Sequence, residues 1–283
     1  MSPPDPRLTP ARPDLAARHL RGTVEAARYV DGTSRRVLWP TVPMRRTPSP
    51  EVSYVTEALF GETVTVYETT EEGWAWGQLD RDGYVGWLPA EALGPAGPGA
   101  THKVAALRTH VYPRPSIKMP PSIALPLGSR LTVASIRERF ATTTEGGFVF
   151  AAHLDPLEAA EPDFVEVARR FMGTPYLWGG RTNMGLDCSG LVQTALTAAG
   201  IDCPRDSDMQ EQAVGTPVPY TGGAAGLEHA DLLFWPGHVG IVDGDALLHA
   251  TAHYMAVVRE PLEAALTRIA EASAPVRTVR RIG

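Results

Sequence analysis

The chain has 283 residues, room for two or three compact domains rather than one small core. Its 43% hydrophobic and 20% charged residues are ordinary for a globular protein, and a net charge of −6 with no basic block argues against nucleic-acid binding. The two cysteines, Cys188 and Cys203, are too few for a disulfide framework and lack zinc spacing, so no metal site or cofactor is expected.

Positive charge is nearly all arginine, with lysine only at 103 and 118, which reads as genomic composition. No run of about 18 apolar residues exists to span a membrane. The opening MSPPDPRLTPARPDLAARHL lacks the apolar stretch of a secretory signal. A working thiolate at Cys188 also needs a reducing compartment, because pairing with Cys203 would abolish it. A cytoplasmic location is therefore expected.

Residues 1–20 read as a Pro/Arg-rich arm of weak order. Between 21 and 93 the signals are short strands and turns: Thr63–Tyr67 alternates, Gly73–Trp76 follows a polar turn, and Tyr84–Leu88 ends at Pro89. That pattern suggests a small β-barrel. A joint, Gly94-Pro95-Ala96-Gly97-Pro98-Gly99, marks a boundary. Gly61-x-x-Val64-Thr65-Val66 then recurs as Gly128-x-x-Leu131-Thr132-Val133, and Gly83-Tyr84-Val85 as Gly147-Phe148-Val149. Two β-modules in tandem, the second over 100–157, are the economical reading.

The remainder, 161–283, reads as an α+β domain. Pro162 opens a helix with Phe164, Val167, Ala168 and Phe171 on one face, stopped by Gly173. Asp187 caps a second helix whose stripe is Leu191, Val192, Ala195, Leu196 and Ala199, with Gly200 as its stop. Residues 204–229 suggest a long surface loop beside a site. Leu232–Trp235, His238–Val242, Ala246–Ala250 and Met255–Val258 read as antiparallel strands, Pro261–Ala270 as a helix and Val276–Val279 as a closing strand.

Cys188 falls in the first turn of its helix, where unpaired N–H groups and the positive dipole end favour a thiolate. The competing reading is a free cysteine packed as a small hydrophobe. If the turn after Asp243 is the two residues Gly244 and Asp245, Gly240 lies opposite His249. His238 and His249 then share a face as diagonal neighbours about 7 Å apart, and a slip of one residue would separate them. Either histidine alone is more simply a satisfied sheet residue. A helix-start cysteine followed by two such histidines points instead to a nucleophile, a base and an orienting group.

Four separated blocks carry a resemblance: Pro175-Tyr176-x-Trp178-Gly179-Gly180, Asp187-Cys188-Ser189-Gly190-Leu191, Pro204-Arg205-Asp206-Ser207-x-x-Gln210, and Asp231-Leu232-Leu233-Phe234-Trp235-x-x-His238-Val239-Gly240-Ile241. In this order they resemble the NlpC family of papain-like cysteine peptidases, over about 162–283. The resemblance implies Cys188 as nucleophile, His238 as general base and His249 as third polar residue. It also implies that the Tyr176 hydroxyl and the Cys188 backbone N–H stabilise the oxyanion. The fold implied is helices packed on an antiparallel sheet, preceded by two small SH3-like β-barrels.

Relatives of this kind cleave peptidoglycan stem peptides between γ-D-Glu and a diamino acid. In the subgroup with this domain order the first module caps the site and selects a free L-Ala amine. Asp187, Glu57 and Tyr84 are the candidates for that ammonium, with Glu62 as rival to Glu57, although a single surface glutamate is more often a solvated charge. Ser189, Arg205, Asp206 and Ser207 are candidates for the γ-D-Glu group, Arg205 through bidentate recognition. Trp178 is a candidate substrate contact and, like Trp235, could equally be core. The expected partner is a murein-derived peptide, L-Ala-γ-D-Glu-diamino acid, with no nucleic acid and no membrane. The alternatives are a papain-like amidase or acyltransferase on another γ-glutamyl-type substrate, and a non-catalytic wall-peptide binder.

Overall fold

A computed structural model describes residues 4–283, and the chain forms two compact units, one ending at Leu157 and one running Glu158–Gly283. No helix of the described residues is long and apolar enough to cross a membrane.

In the N-terminal unit the expected loose arm is held to the first module from Arg7 onward; residues 1–3, also assigned to it, lie outside the described residues. Leu15, Ala16 and Ala17 are fully buried and pair in parallel with Arg28–Val30. Arg12 lies 4.3 Å from the Trp76 ring centroid and 4.9 Å from that of Trp87. Val85 N–H donates to the Arg7 carbonyl at 2.7 Å. The Pro/Arg composition concealed this apolar triplet, whose burial outweighs the arm's polarity.

The first module is an open sheet of seven strands. From one edge to the other they are Tyr54–Leu59, Thr41–Arg45, Val85–Pro89, Trp74–Leu79, Thr63–Thr69, Thr33–Val37 and Leu93–Pro95. Alternate residues such as Val42, Met44, Val64, Leu79 and Leu88 form its core. The second module has a five-stranded and a three-stranded sheet around Val104, Leu125, Leu131, Ala141 and Val149. The Gly/Pro joint does not separate two independent bodies. Leu93–Pro95 pairs with Thr33–Val37, and Phe60 of the first module is buried in the second core. The repeated glycines mark equivalent turns: Gly61 and Gly128 adopt φ of +79° and +86° two residues before a strand.

The C-terminal unit has four helices: α1 (Phe164–Arg169), α2 (Cys188–Ala198), α3 (Ser207–Ala213) and α4 (Leu262–Ala272). Besides a short hairpin pairing Arg181–Thr182 with Gly185–Leu186, it has a main sheet of six strands: β1 (Thr216–Val218), β2 (Leu232–Trp235), β3 (His238–Asp243), β4 (Ala246–Thr251), β5 (Ala256–Pro261) and β6 (Thr278–Arg281). They form one antiparallel sheet in the order β1-β6-β2-β3-β4-β5. Asp163, not Pro162, caps α1, accepting from the N–H groups of Val165 and Glu166.

Strands β2 and β4 are buried along their whole length, which marks a sheet covered on both faces. Helix α4 packs Leu262, Ala265, Leu266 and Ile269 on Leu233, Val242, Leu247 and Val279, while α2 packs on β3 and β4. Two expectations are corrected. The stretch 204–229 is not all loop, because it holds α3 and β1. The closing strand runs Thr278–Arg281 rather than Val276–Val279, and β1 continues the sheet beyond it. Pro217 is tolerated in β1 because β1 is the edge strand.

Candidate active site

The sulfur of Cys188 is placed by the turn that starts α2. Asp187 Oδ1 accepts the Gly190 N–H at 2.7 Å, the N-cap expected from sequence, and Oδ2 accepts the Gly179 N–H at 2.8 Å. The helix start therefore stands against the Gly179-Gly180 backbone. A Cβ on Gly190 would lie 2.2 Å from the Gly180 carbonyl oxygen, so this position has no room for a side chain. On the other side, the thiol lies within hydrogen-bonding reach of the backbone N–H groups of Ser189 and Val239. Val239 follows His238 directly, so β3 delivers its first residues to the cysteine.

The register of the β3–β4 hairpin is the one expected. Ile241 pairs with Leu248 and Asp243 with Ala246, which sets Gly240 opposite His249. The rings of His238 and His249 are in contact, with His238 Nε2 2.8 Å from His249 Nδ1. A Cβ on Gly240 would lie 2.8 Å from Leu247 Cδ1 and 3.4 Å from His249 Cβ, so the glycine clears space beside the second ring. Trp235 packs on His238 with ring centroids 5.5 Å apart.

Three residues absent from the sequence reading complete this row. His249 Nε2 lies 2.8 Å from Glu260 Oε1, Arg268 of α4 donates to the same oxygen, and the Tyr254 hydroxyl donates to Oε2 at 3.4 Å. Glu260 escaped notice because the apolar run of β5 was read as ending at Val258, whereas the strand continues to Pro261. Alternation from Val258, which pairs with His249, would have placed Glu260 on the same face.

Electrostatics correct one expectation. Burial, with the charge of Asp187 second, outweighs the lowering by the Val239 and Ser189 N–H groups and pushes the thiol pKa up to about 12. Two N–H donors to sulfur do not offset the lost hydration of a thiolate. Burial also pushes His238 down to about 3, with His249 adding to the effect. The resting pair is therefore a neutral thiol and a neutral imidazole. Burial raises the Tyr176 hydroxyl pKa, and the nearby Cys188 and Asp187 add to it, so this group remains a hydrogen-bond donor near the sulfur. Together these groups can supply a nucleophile, a proton acceptor and a donor for a developing oxyanion.

The remaining candidates divide. Asp187 and Arg205 hold each other in a buried, two-pronged ion pair, with Arg205 Nη1 also 2.8 Å from Ser189 Oγ. Asp206 stands at the N-cap of α3 without a side-chain capping bond, and Ser207 begins that helix. Trp178 is 63% exposed, and so is not core, whereas Trp235 is fully enclosed. In the N-terminal unit, Glu57 is buried opposite Pro43, and Tyr84 is buried in the first module's core. Its rival Glu62 is committed locally, accepting the Leu59 N–H at 2.9 Å and pairing with Arg81 at 2.9 Å.

Residues 173–269 match the NlpC/P60 family, and residues 44–93 match the bacterial dipeptidyl-peptidase Sh3 domain. The chain is 31% identical over 224 residues to a gamma-D-glutamyl-L-lysine dipeptidyl-peptidase of Bacillus subtilis, covering 69% of this chain and 71% of that protein. A protein of the same name from Bacillus cereus is 28% identical over 229 residues, covering 71% of this chain and 64% of the relative. A solved NlpC/P60 family protein from Bacillus cereus shares the fold, with a TM-score of 0.72 at 20% identity over 88% of this chain and 99% of the other. The family match over the residues that carry Cys188, His238 and His249, the bacterial Sh3 match before it and the 31% identical relative together show that the chain belongs to the NlpC/P60 family.

Proposed function

We propose that this chain is a cysteine peptidase of bacterial wall peptides. It cuts the bond between a γ-D-glutamyl residue and the following diamino acid, in peptides with a free N-terminal L-Ala. We further propose that it works in the cytoplasm on murein peptides returned for recycling. The observation that carries the reading is the contact between His238 and His249 on the hairpin whose Val239 N–H reaches the Cys188 sulfur. The names of the Bacillus relatives support the substrate class.

In this mechanism His238 takes the Cys188 proton as the sulfur attacks the γ-carbonyl carbon, and His249 holds His238 in orientation. The Tyr176 hydroxyl and the Cys188 N–H donate to the oxyanion. Collapse expels the diamino acid, whose amine receives the proton from His238, and water then releases L-Ala-γ-D-Glu from the thioester. Asp187 meets the ammonium; Ser189, Asp206 and Ser207 meet the γ-D-Glu group, and Trp178 flanks it. Arg205 serves by holding Asp187 and Ser189, since its guanidinium is fully enclosed. The second module is proposed to be SH3-like, as the first is by its match to the bacterial Sh3 domain.

The test is incubation of the full chain with L-Ala-γ-D-Glu-L-Lys and its diaminopimelate counterpart at neutral pH with a thiol reductant. Release of L-Ala-γ-D-Glu, lost by several orders of magnitude in Cys188→Ala, is expected. No dipeptide from either peptide would overturn the reading. Turnover equal in Cys188→Ala would show the thiol to be idle and overturn the nucleophile assignment.

A further inference from the structure

The geometry points to Glu260 as a positioning residue that decides which nitrogen of His238 carries a proton. The inference rests on the reading of Cys188 and His238 as nucleophile and base, and it assigns the polarity of the row behind them.

Glu260 is 9% exposed, and hydrogen bonds from His249 and Arg268 outweigh its burial, holding its pKa down to about 2. It is thus a carboxylate near neutrality, with no proton to donate. The 2.8 Å contact with His249 Nε2 then requires the proton on that nitrogen. His249 is neutral, because burial lowers its pKa, so its Nδ1 is a bare acceptor. The second 2.8 Å contact consequently requires a proton on His238 Nε2. What remains on His238 is an unprotonated Nδ1, the lone pair a general base needs. One acceptor at residue 260 thereby sets two rings.

Arg268 and Tyr254 fix that acceptor. The guanidinium donates to the oxygen that faces His249, and the hydroxyl donates to the other. Arg268 also lies over the Tyr254 ring, 5.5 Å from its centroid, which holds both side chains in place. Because Arg268 offsets the carboxylate charge, the function of Glu260 is to accept a hydrogen bond rather than to supply negative potential. A glutamine in its place would still turn its oxygen toward the two donors.

The experiment reads tautomers directly. Full-length protein labelled with nitrogen-15 in histidine is examined at neutral pH by long-range proton–nitrogen correlation, with His238 and His249 assigned by substitution. Wild type is expected to carry its proton on Nε2 at both rings. Glu260→Ala should mix the tautomers at both and lower kcat by about ten- to a hundredfold, with KM within about twofold. Glu260→Gln should keep the wild-type tautomers and most of kcat. A wild-type spectrum with either proton on Nδ1 overturns the assignment, even if Glu260→Ala fails to fold. Wild-type tautomers in Glu260→Ala overturn it too, as do mixed tautomers in Glu260→Gln. A wild type that shows the expected tautomers but cuts no peptide would sink the functional reading while leaving this one standing.

Discussion

Arg205 closes a two-pronged ion pair on Asp187, its Nη1 2.9 Å from Oδ1 and its Nη2 2.7 Å from Oδ2, with the guanidinium side chain 1% exposed. The same carboxylate caps α2, so this pair anchors the turn that carries Cys188. Arg205→Ala leaves a buried charge uncompensated and should cost about 3–5 kcal/mol. Arg205→Lys keeps the charge but loses the fork, with an expected cost of about 1–2 kcal/mol. Urea denaturation of the three proteins checks the order; equal midpoints for Arg205→Ala and wild type would refute it.

The neutral resting pair has a kinetic signature. With the Cys188 pKa pushed up to about 12, the thiolate fraction rises tenfold per pH unit throughout the neutral range. Alkylation by iodoacetamide should therefore be about a hundredfold faster at pH 9 than at pH 7, after subtracting the Cys203 background measured in Cys188→Ala. A rate constant flat from pH 5 to 9 would instead reveal a preformed thiolate–imidazolium pair.

Acid should unfold this protein through its buried histidines. His238 stays neutral down to about pH 3 when folded, against an ordinary value of 6.5 in the unfolded chain. Between those values only the unfolded chain takes up the proton. Stability is thus full above pH 6.5 and falls toward pH 3, by up to about 1.4 kcal/mol per unit for this one group. His249 is lowered as well and acts with the same sign. Substituting His238 with Gln should flatten the profile between pH 6.5 and 4.5. Parallel curves for variant and wild type would contradict the assignment.

Two glycines should differ in their response to alanine. At Gly190 the new methyl would meet a backbone oxygen at 2.2 Å, which no rotamer relieves. A loss of about 1–3 kcal/mol is expected, with a displaced Cys188 turn. At Gly240 the nearest atom is the Leu247 Cδ1 at 2.8 Å, the end of a flexible side chain. Gly240→Ala should thus be milder in stability, with its effect falling on the His249 contact and hence on kcat. Thermal melts and steady-state rates on both variants separate the two; a Gly240→Ala protein less stable than Gly190→Ala would reverse the ranking.

Amine selection gives the last comparison. Acetylating the substrate L-Ala should lower kcat/KM about a hundredfold, roughly the loss from removing a charge-assisted hydrogen-bonded pair. Glu62→Gln should lower stability, since Glu62 pairs with Arg81 and the Leu59 N–H. Equal rates for both peptides in wild type would remove the selection altogether.

Local chemistry in the sequence was sufficient for the parts of the site closest along the chain. Asp187 as cap, Gly200 as stop and the two-residue turn at Gly244-Asp245 are decided within a few residues, and each predicts its geometry without reference to the rest of the molecule. The register of His238 and His249 follows from that turn alone. Glu260 and Arg268 join the row only because β5 pairs with β4 and α4 packs back on the sheet, which no local pattern encodes. Burial is likewise a property of the assembled unit. The helix start by itself argues for a thiolate at Cys188, but desolvation by the surrounding fold reverses the sign, because the energy of a charge depends on everything packed around it.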